Sequence, residues 1–370
     1  MTSKERVFNA WNHEETDRVP MDMGGVACEI VDDTYLKLKE ALGIPGELVP
    51  YRRGKNTCYY DERILKALDV DFRRVLPKVD NKYPMENNGI LTDEWGIQRK
   101  KGKFGMEFVG NPLEDAEVED LDDYPWPKAS EILDIEGLRE TAKRLHEENE
   151  YAVSLRAPLN GIFEIACWLR GMENYMCDML ADEEFADALA EKVLEVQLDW
   201  YGYLLDAVGP YVDMVETGDD YGTQNSLLMS PDCLKHFILP RRKRLNDLIH
   251  EKAPQAKVFF HCCGSIKSII NDLKDTGVDI LNPIQTTAAD MEPADLKAEF
   301  GDGLVFHGGI DTTKALPGSI EDVEKEVRKM VDGMKGNGGY IFASCNNIQK
   351  DVPPENIIRM FEYAKEYSSK

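Results

Sequence analysis

The sequence predicts an α/β fold, a (β/α)8 TIM barrel, on three observations. From about residue 132 onward, short apolar runs alternate with longer stretches of helical periodicity. Continuous apolar strands are typical of a parallel sheet covered by helices, and eight strand–helix units close as a barrel. A doubly wound open sheet is the alternative, but neither G-x-G-x-x-G after the first strand nor G-x-x-x-x-G-K-[ST] occurs. The absence of both motifs argues against nucleotide binding but leaves the open sheet as a second possibility.

Seven apolar runs are predicted to be strands, and we expect irregular sequence to hide the eighth. In chain order they are 18–25, 151–157, 211–218, 257–262, 278–283, 304–309 and 339–345. Helices are predicted between them. The longest, 182–208, places Phe185, Leu189 and Val193 on a single apolar stripe. Others are predicted to begin after the cap-like residues Ser265 and Ser319.

An interruption precedes the regular alternation and divides the chain unevenly. Residues 72–113 contain short runs punctuated by glycine, which predict an antiparallel meander, and residues 114–131 form an acidic stretch with Pro-Trp-Pro that predicts a surface loop. We interpret residues 72–131 as a small appendage inserted before the main barrel run. The prediction is one barrel domain over residues 1–370, with a small N-terminal helical and meander appendage.

Composition excludes several classes of protein. The chain has 370 residues, with 44 Lys and Arg against 69 Asp and Glu, a formal net charge of −25. Phosphate-backbone binding requires clustered cations, so nucleic acid is an unsuitable partner. The longest apolar runs fall far short of the about 20 residues needed to cross a bilayer. The first ten residues lack the apolar segment of a secretory signal, so we expect a cytoplasmic protein that keeps its eight cysteines reduced.

Polar residues collect where the predicted strands end, which is the catalytic face of a parallel barrel. We expect Glu216, Asp220 and Asp311 to serve in catalysis. The residues expected to contact substrate are Asp22, Arg156, Asn282, Gln285 and Asn346. The two carboxylates of GDDYGTQ, Asp219 and Asp220, allow two interpretations of their role. They fit a general acid or base or a further metal ligand, in competition with Glu216, or they cap the following turn.

The strongest chemical signal is His261-x-Cys263 together with the distant Cys345. One imidazole and two thiolates are donors that suit Zn²⁺, and three protein ligands leave a fourth position for substrate or water. The arrangement therefore predicts a catalytic metal site. The alternative is a buried small thiol at Cys263 beside a hydrogen-bonded His261.

At these residues the chain resembles the uroporphyrinogen decarboxylase superfamily, and within it the cobalamin-dependent methyltransferase branch. The matching stretches, in order, are DRVPMDMGG, KALDVDFRRV, TDEWG, PLNGIFEIACWLRGMENYMCDM, VETGDDYGTQNSLLMSP, FFHCCGSIKSIINDLKDTGVDILNPIQTTAADM, VFHGGIDT and CNNIQKDVPPENI. The resemblance implies a (β/α)8 barrel with its site at the C-terminal mouth. The decarboxylases carry M-R-Q-A-G-R after R-V-P, whereas residues 21–25 here read MDMGG. The methyltransferase branch carries H-x-C and a distant cysteine as zinc ligands.

The resemblance implies a zinc-dependent methyltransferase that moves a methyl group between a small substrate and cobalamin. His261, Cys263 and Cys345 match the zinc ligands of that branch. Many relatives have H-N-I-Q in the last motif, whereas this chain has CNNIQ, in which Cys345 lies one position before the place of their histidine. The chain lacks the D-x-H-x-x-G signature of cobalamin-binding domains, so the cofactor is expected on a separate corrinoid protein. Methyl ethers, methylamines and thiols are candidate substrates. Two alternatives are a metal-free lyase of the decarboxylase type and a non-catalytic ligand-binding barrel.

Overall fold

A computed structural model describes residues 1–80, 82–102 and 106–369. The strands of these ranges are β1 Phe72–Val75, β2 Lys78–Val79, β3 Met85–Asn87, β4 Ile90–Thr92, β5 Gln98–Lys101, β6 Met106–Gly110, β7 Leu133–Asp134, β8 Ala152–Arg156, β9 Met214–Gly218, β10 Lys257–His261, β11 Ile280–Asn282, β12 Val305–His307 and β13 Tyr340–Ile341. The helices are α1 Ser3–Trp11, α2 Asp32–Ala41, α3 Glu62–Ala67, α4 Asp120–Asp123, α5 Ala129–Ile132, α6 Leu138–Glu148, α7 Ile162–Arg170, α8 Met172–Ala181, α9 Glu183–Val208, α10 Pro231–Cys233, α11 Leu239–Lys252, α12 Ile270–Asp275, α13 Pro293–Phe300, α14 Ile320–Met334 and α15 Pro354–Ser368. A π-helical turn, Leu234–Ile238, joins α10 to α11.

A curled sheet of seven parallel strands forms the centre of the fold, in the order β1-β8-β9-β10-β11-β12-β13. Each of the predicted strands from 151–157 to 339–345 contains one of β8 to β13, which confirms the α/β class and the parallel sheet. All five residues of β9 are buried, as expected of a strand covered on both faces.

The first predicted strand, 18–25, forms only an isolated parallel bridge from Met21 to Phe342. Its backbone nevertheless contacts residues at both outer edges of the sheet. The Asp22 N–H donates to the Phe342 oxygen at 2.9 Å, just beyond β13, and the Asp71 N–H donates to the Met21 oxygen at 2.8 Å, just before β1. This segment therefore lies between the two outer strands, without the ladder of a regular strand.

Residues 72–75 correct the sequence prediction, which placed them in the antiparallel meander. They form β1, which pairs in parallel with β8, and all four are buried. Two consecutive arginines are typical of an exposed strand, but here each arginine binds a carboxylate. Arg73 lies 3.5 Å from the centre of the Tyr151 ring and binds Glu62, while Arg74 binds Asp22. The meander itself is confirmed for β3 to β6, a four-stranded antiparallel sheet.

The helices bury apolar faces against the outside of the sheet. The longest, α9, is capped by Asp182, whose side chain accepts from the Phe185 N–H, and it buries the stripe predicted for it. Trp200 on this helix is fully buried, and its indole N–H donates to the Pro127 oxygen at 3.0 Å, which ties the 114–131 segment to the barrel wall. In the described residues, no helix combines the length and apolar character needed to span a membrane.

Asp71, immediately before β1, joins the N-terminal segment to the sheet. Its carboxylate is fully buried and accepts from Arg6 at 2.8 Å, from Arg18 at 2.7 and 3.0 Å, and from the Met21 N–H at 2.7 Å. Two guanidinium groups and a backbone donor thus share one carboxylate. Burying these charges is tolerated because each is paired.

Replacing the Asp71 carboxylate should therefore destabilise the whole chain. We expect Asp71→Asn to lower the free energy of unfolding by about 3–5 kcal/mol, because buried Arg18 loses the carboxylate that it binds and Arg6 keeps only its pair with Asp17. The matched control is Asp69→Asn, which breaks an exposed pair with Lys365 and should cost less than about 1 kcal/mol. Denaturant titration measures both values. Equal effects of the two substitutions would contradict this account of Asp71.

Candidate active site

The carboxyl ends of the strands carry an unusual set of polar side chains. The inner layer of a barrel is ordinarily filled by branched apolar residues. Here the buried polar side chains at or near these ends include Asp22, Arg74, Ser154, Glu216, His261, Asn282 and His307. Parallel register places them together: Arg156 of β8 is opposite Glu216 of β9, and Gly218 of β9 is opposite His261 of β10. The strand ends therefore form one polar centre.

The deepest part of this centre is an ion-pair network around Arg74. The guanidinium donates to both oxygens of Asp22, at 2.8 and 2.7 Å, and its Nε–H donates to Glu216 at 2.8 Å. Burial alone would raise the pKa of Asp22, but the charge and hydrogen bonds of Arg74 outweigh it and hold the pKa well below its usual value. Ser154 also donates to Glu216 at 2.7 Å, whereas the second Glu216 oxygen, Oε2, has no hydrogen-bond partner among the described residues.

Gly25 makes room for this network. Its φ is +88°, in the left-handed region, and a Cβ there would lie 2.5 Å from Glu216 Oε2 and 2.8 Å from an Arg74 nitrogen. Any side chain would therefore collide with the ion pair. Asp22 and Glu216, which we predicted as site residues, are thus brought together by Arg74, which sequence reasoning had placed in the meander.

A chain of hydrogen bonds runs from Asp22 to the mouth of the barrel. His307 Nε2 lies 2.9 Å from Asp22, and His307 Nδ1 lies 2.9 Å from the Asn282 amide nitrogen. The Asn282 amide oxygen in turn lies 2.5 Å from His261 Nδ1. Asn282 is fully buried and links the two histidines, and its expected contact with substrate stays a prediction.

His261, Cys263 and Asp220 form the one cluster in the described part of the chain that could hold a metal. Their ligand atoms all lie within 4.8 Å of one another. Cys263 Sγ is 3.2 Å from His261 Nε2, and Asp220 Oδ1 is 3.6 Å from the same nitrogen and accepts the Cys263 N–H at 2.7 Å. Burial, followed by the charge of Asp220, raises the pKa of the Cys263 thiol. The Asn346 amide donates to Cys263 Sγ at 3.4 Å and completes the group.

Close backbone packing sets the position of the loop after Cys263. Gly264 has φ +94°, and a Cβ there would lie 2.4 Å from the backbone of Gly222. The Gln285 side-chain oxygen accepts the Gly264 N–H at 2.8 Å. Gln285 therefore helps to hold the loop after Cys263 in place, and its expected contact with substrate stays a prediction.

The two carboxylates of the GDDYGTQ stretch have different roles. Asp219 is fully buried and accepts the N–H groups of Phe163 and Glu164, both at 2.9 Å, at the start of α7. It caps this earlier helix, whereas the sequence had suggested that one of the two carboxylates caps the turn that follows them. Asp220 instead faces the candidate cluster. Glu164, which sequence reasoning missed, lies near both, and its pKa is raised by burial and by the charges of Asp219 and Asp220.

Cys345 and Asp311 were also predicted as site residues, and both lie outside the cluster. Cys345 Sγ is 3.9 Å from the Thr312 hydroxyl and does not belong to the 4.8 Å group, while burial raises the pKa of its thiol to about 11. Asp311 Oδ1 accepts the N–H and the hydroxyl of Thr313, both at 2.7 Å, and so closes its own turn. The expected set of His261, Cys263 and Cys345 thus differs in one member from the group that the fold assembles.

Arg156 ends β8 at the mouth of the barrel. Its Nε–H donates to the Gly25 oxygen at 2.8 Å, and the same nitrogen is 3.7 Å from Glu29. The two Glu29 carboxylate oxygens already accept hydrogen bonds, one from the Tyr51 hydroxyl and one from Arg52, each at 2.6 Å. Within the described ranges, the two terminal nitrogens of Arg156 form no hydrogen bond, and the side chain is 13% exposed. The Arg156 guanidinium is therefore largely buried, with its two terminal nitrogens available for a further partner.

Similarity to known proteins agrees with this fold. Residues 104–367 match the family model "Uroporphyrinogen decarboxylase (URO-D)". The uroporphyrinogen decarboxylase of Geobacter metallireducens is 26% identical over 286 residues, covering 72% of this chain and 76% of that protein; that of Geotalea daltonii is 24% identical over 273 residues, covering 70% and 74%.

A solved structure extends the likeness to the whole chain. The structure of a methyltransferase from Methanosarcina mazei superimposes with a TM-score of 0.65, at 16% identity, and covers 99% of both chains. At this level of identity the likeness establishes the shared fold. Since the family model spans most of the chain, this protein belongs to the uroporphyrinogen decarboxylase family.

Proposed function

We propose that this protein is a zinc-dependent methyltransferase that moves a methyl group between a small substrate and the cobalamin of a separate corrinoid protein. The observation that carries the proposal is the cluster of Asp220, His261 and Cys263 at the carboxyl ends of β9 and β10. A catalytic metal site needs a few protein ligands, an open position and a place on the functional face of the barrel.

The donors of the cluster fit zinc. One carboxylate oxygen, one imidazole nitrogen and one thiolate sulfur are each common zinc ligands, and their mutual distances suit a single ion. When bound there, zinc would act as a Lewis acid on the heteroatom that gains or loses the methyl group. His261 is held by Asn282, and Asp220 is held by the Cys263 N–H, so two of the ligands are oriented before any metal arrives.

The exposure of the cluster supports access by substrate and partner from the mouth. The Asp220 side chain is 37% exposed, while that of His261 is 9% exposed. One side of the cluster therefore faces solvent and the other is packed into the barrel. A corrinoid carried by a separate protein would have to approach this open side.

Arg156 suggests what the substrate carries. A guanidinium fork recognises planar anions through two parallel hydrogen bonds, and the terminal nitrogens of Arg156 are free to form them. Arg156 and the candidate metal cluster lie on neighbouring parts of the same rim, because β8 and β10 flank β9. We therefore propose a methyl donor or acceptor that bears a carboxylate or sulfonate group.

The curated relatives named above favour decarboxylation as the second candidate function. In that class, arginines of the M-R-Q-A-G-R signature hold the acetate groups of the substrate. Here the corresponding segment is Met21 to Gly25, which supplies one carboxylate and no arginine. That carboxylate, Asp22, is already bound by Arg74. The local chemistry of this segment therefore favours methyl transfer.

The metal site predicts the zinc content of purified variants. We expect about one zinc ion per wild-type chain and loss of most of it in Cys263→Ser and Asp220→Asn, because each removes one ligand of the cluster. Cys177→Ser, at an exposed cysteine, is the matched control and should retain zinc. Cys345→Ser should also retain it, since Cys345 lies outside the cluster. Metal analysis decides each case: zinc lost from Cys345→Ser would restore Cys345 as a ligand, and zinc kept by Cys263→Ser would refute the site.

Methyl transfer itself predicts a spectroscopic signal. We expect the zinc-loaded protein to change the absorbance of methylcobalamin or cob(I)alamin when it is mixed with a panel of methyl ethers, methylamines and thiols. Cys263→Ser should abolish the change, and Cys177→Ser should not. Carbon dioxide release from uroporphyrinogen by metal-free protein, with no methyl transfer to or from cobalamin, would establish the decarboxylase function instead.

The anion preference predicts unequal effects of an Arg156 substitution on matched substrates. We expect Arg156→Gln to raise the KM for 4-methoxybenzoate about tenfold or more, because a charge-assisted bidentate contact is worth about 1.5–3 kcal/mol. The KM for uncharged methoxybenzene should change less than about twofold. Steady-state kinetics with the two ethers measures the difference. Equal changes for both ethers would show that Arg156 does not select an anionic substrate.

A further inference from the structure

We infer that Asn282 and His307 are positioning residues that hold His261 in one tautomer, with its Nε2 unprotonated and available as a ligand. The inference rests on the metal cluster of the proposed function and extends it into the barrel interior. It follows from the direction in which each hydrogen bond of the chain between Asp22 and His261 must run.

The direction is set at the deep end by Asp22. Its carboxylate is ionised, since it binds both terminal nitrogens of Arg74, and it can only accept hydrogen bonds. His307 Nε2, 2.9 Å away, must therefore carry the proton and donate. The Asn282 amide nitrogen, whose orientation its other contacts determine, lies 2.9 Å from His307 Nδ1 and can only donate, so Nδ1 accepts.

Further contacts determine which way the Asn282 amide faces. Its nitrogen also lies 3.3 Å from the His307 backbone oxygen and 3.7 Å from Cys28 Sγ, both of which accept hydrogen bonds. Turning the amide around would place its oxygen against the His307 carbonyl oxygen. The amide oxygen therefore faces His261, and His261 Nδ1, 2.5 Å away, must donate to it.

The consequence appears at His261, where this series of hydrogen bonds ends. With its proton on Nδ1, neutral His261 presents an unprotonated Nε2 towards Cys263 and Asp220. Without the Asn282 acceptor, the other tautomer would gain a partner, because Nε2–H could donate to Asp220. Asn282 and His307 thus exclude the tautomer in which His261 could not bind a metal.

The test compares two variants that break the chain with one that preserves it. Asn282→Leu removes the acceptor for His261. His307→Phe removes the ring nitrogen that accepts from the Asn282 amide and leaves only the residue 307 carbonyl and Cys28 Sγ to orient it. The new ring packs where the His307 ring now meets Phe259, at 5.0 Å between centres. His307→Gln keeps one N–H donor and one oxygen acceptor and is the conservative rescue. Circular dichroism and thermal unfolding of each full-length variant establish that it is folded.

Two measurements on the full chain report on the inference. Nitrogen-15 NMR of the metal-free protein, assigned with His261→Gln, should show His261 protonated at Nδ1 in the wild type and in His307→Gln, and a shift towards protonated Nε2 in the other two variants. Zinc titration against a chelator, with Co²⁺ as a spectroscopic probe, should show an affinity about 10- to 100-fold weaker in Asn282→Leu and His307→Phe. His307→Gln should stay within about threefold of wild type.

Specific results would overturn the inference. Protonated Nε2 on His261 in the metal-free wild type would refute the assigned tautomer. Unchanged zinc affinity in folded Asn282→Leu and His307→Phe would refute the positioning role. A wild-type chain that shows protonated Nδ1 and yet binds no zinc would refute the metal site of the proposed function, while supporting the assigned hydrogen-bond chain.

Discussion

The paired burial of Arg74 with Asp22 and Glu216 is the constraint on which the site depends. Three charges lie in the barrel interior with almost no exposure, and each would be costly there alone. The pairing connects three parts of the chain distant in sequence: the segment after Met21, strand β1 and strand β9. It also requires Gly25, because a side chain at that position would meet Glu216 Oε2 at 2.5 Å. The ion pair thus constrains the backbone of residues 22–25 beside β1 and β9.

A series of directed hydrogen bonds runs from this ion pair to the open end of the site and orients each side chain in turn. Asp22 orients His307, His307 orients Asn282, and Asn282 orients His261 at the open end. Each member has a defined donor or acceptor role because the first member can only accept. This hydrogen-bonded series explains why so many polar groups replace the branched apolar residues that usually fill such a barrel. They form a connected network, and connected networks can be buried at tolerable cost.

Sequence reasoning was accurate where a residue's role follows from its strand. The six later strands, the long stripe of α9, and the neighbourhood of His261 and Cys263 were predicted from apolar periodicity and from the residues after each strand. It was wrong for β1, because paired arginines mimic an exposed strand and only their partners reveal burial. The last motif shows a similar limit. Asn346 contacts Cys263, while the neighbouring Cys345 packs against Thr312.

By itself, the sequence determined the class of fold, the acidic character of the chain and the H-x-C pair that marks the candidate metal site. Those properties depend on local periodicity, on composition, or on residues two positions apart. Only the tertiary structure decided that Asp220 joins that pair, that Asp219 caps α7, and that Asn282 lies between two histidines. These roles depend on distances and hydrogen-bond directions between different strands and loops. Such geometry is set by the curvature and register of the whole sheet, which no local pattern in the chain encodes.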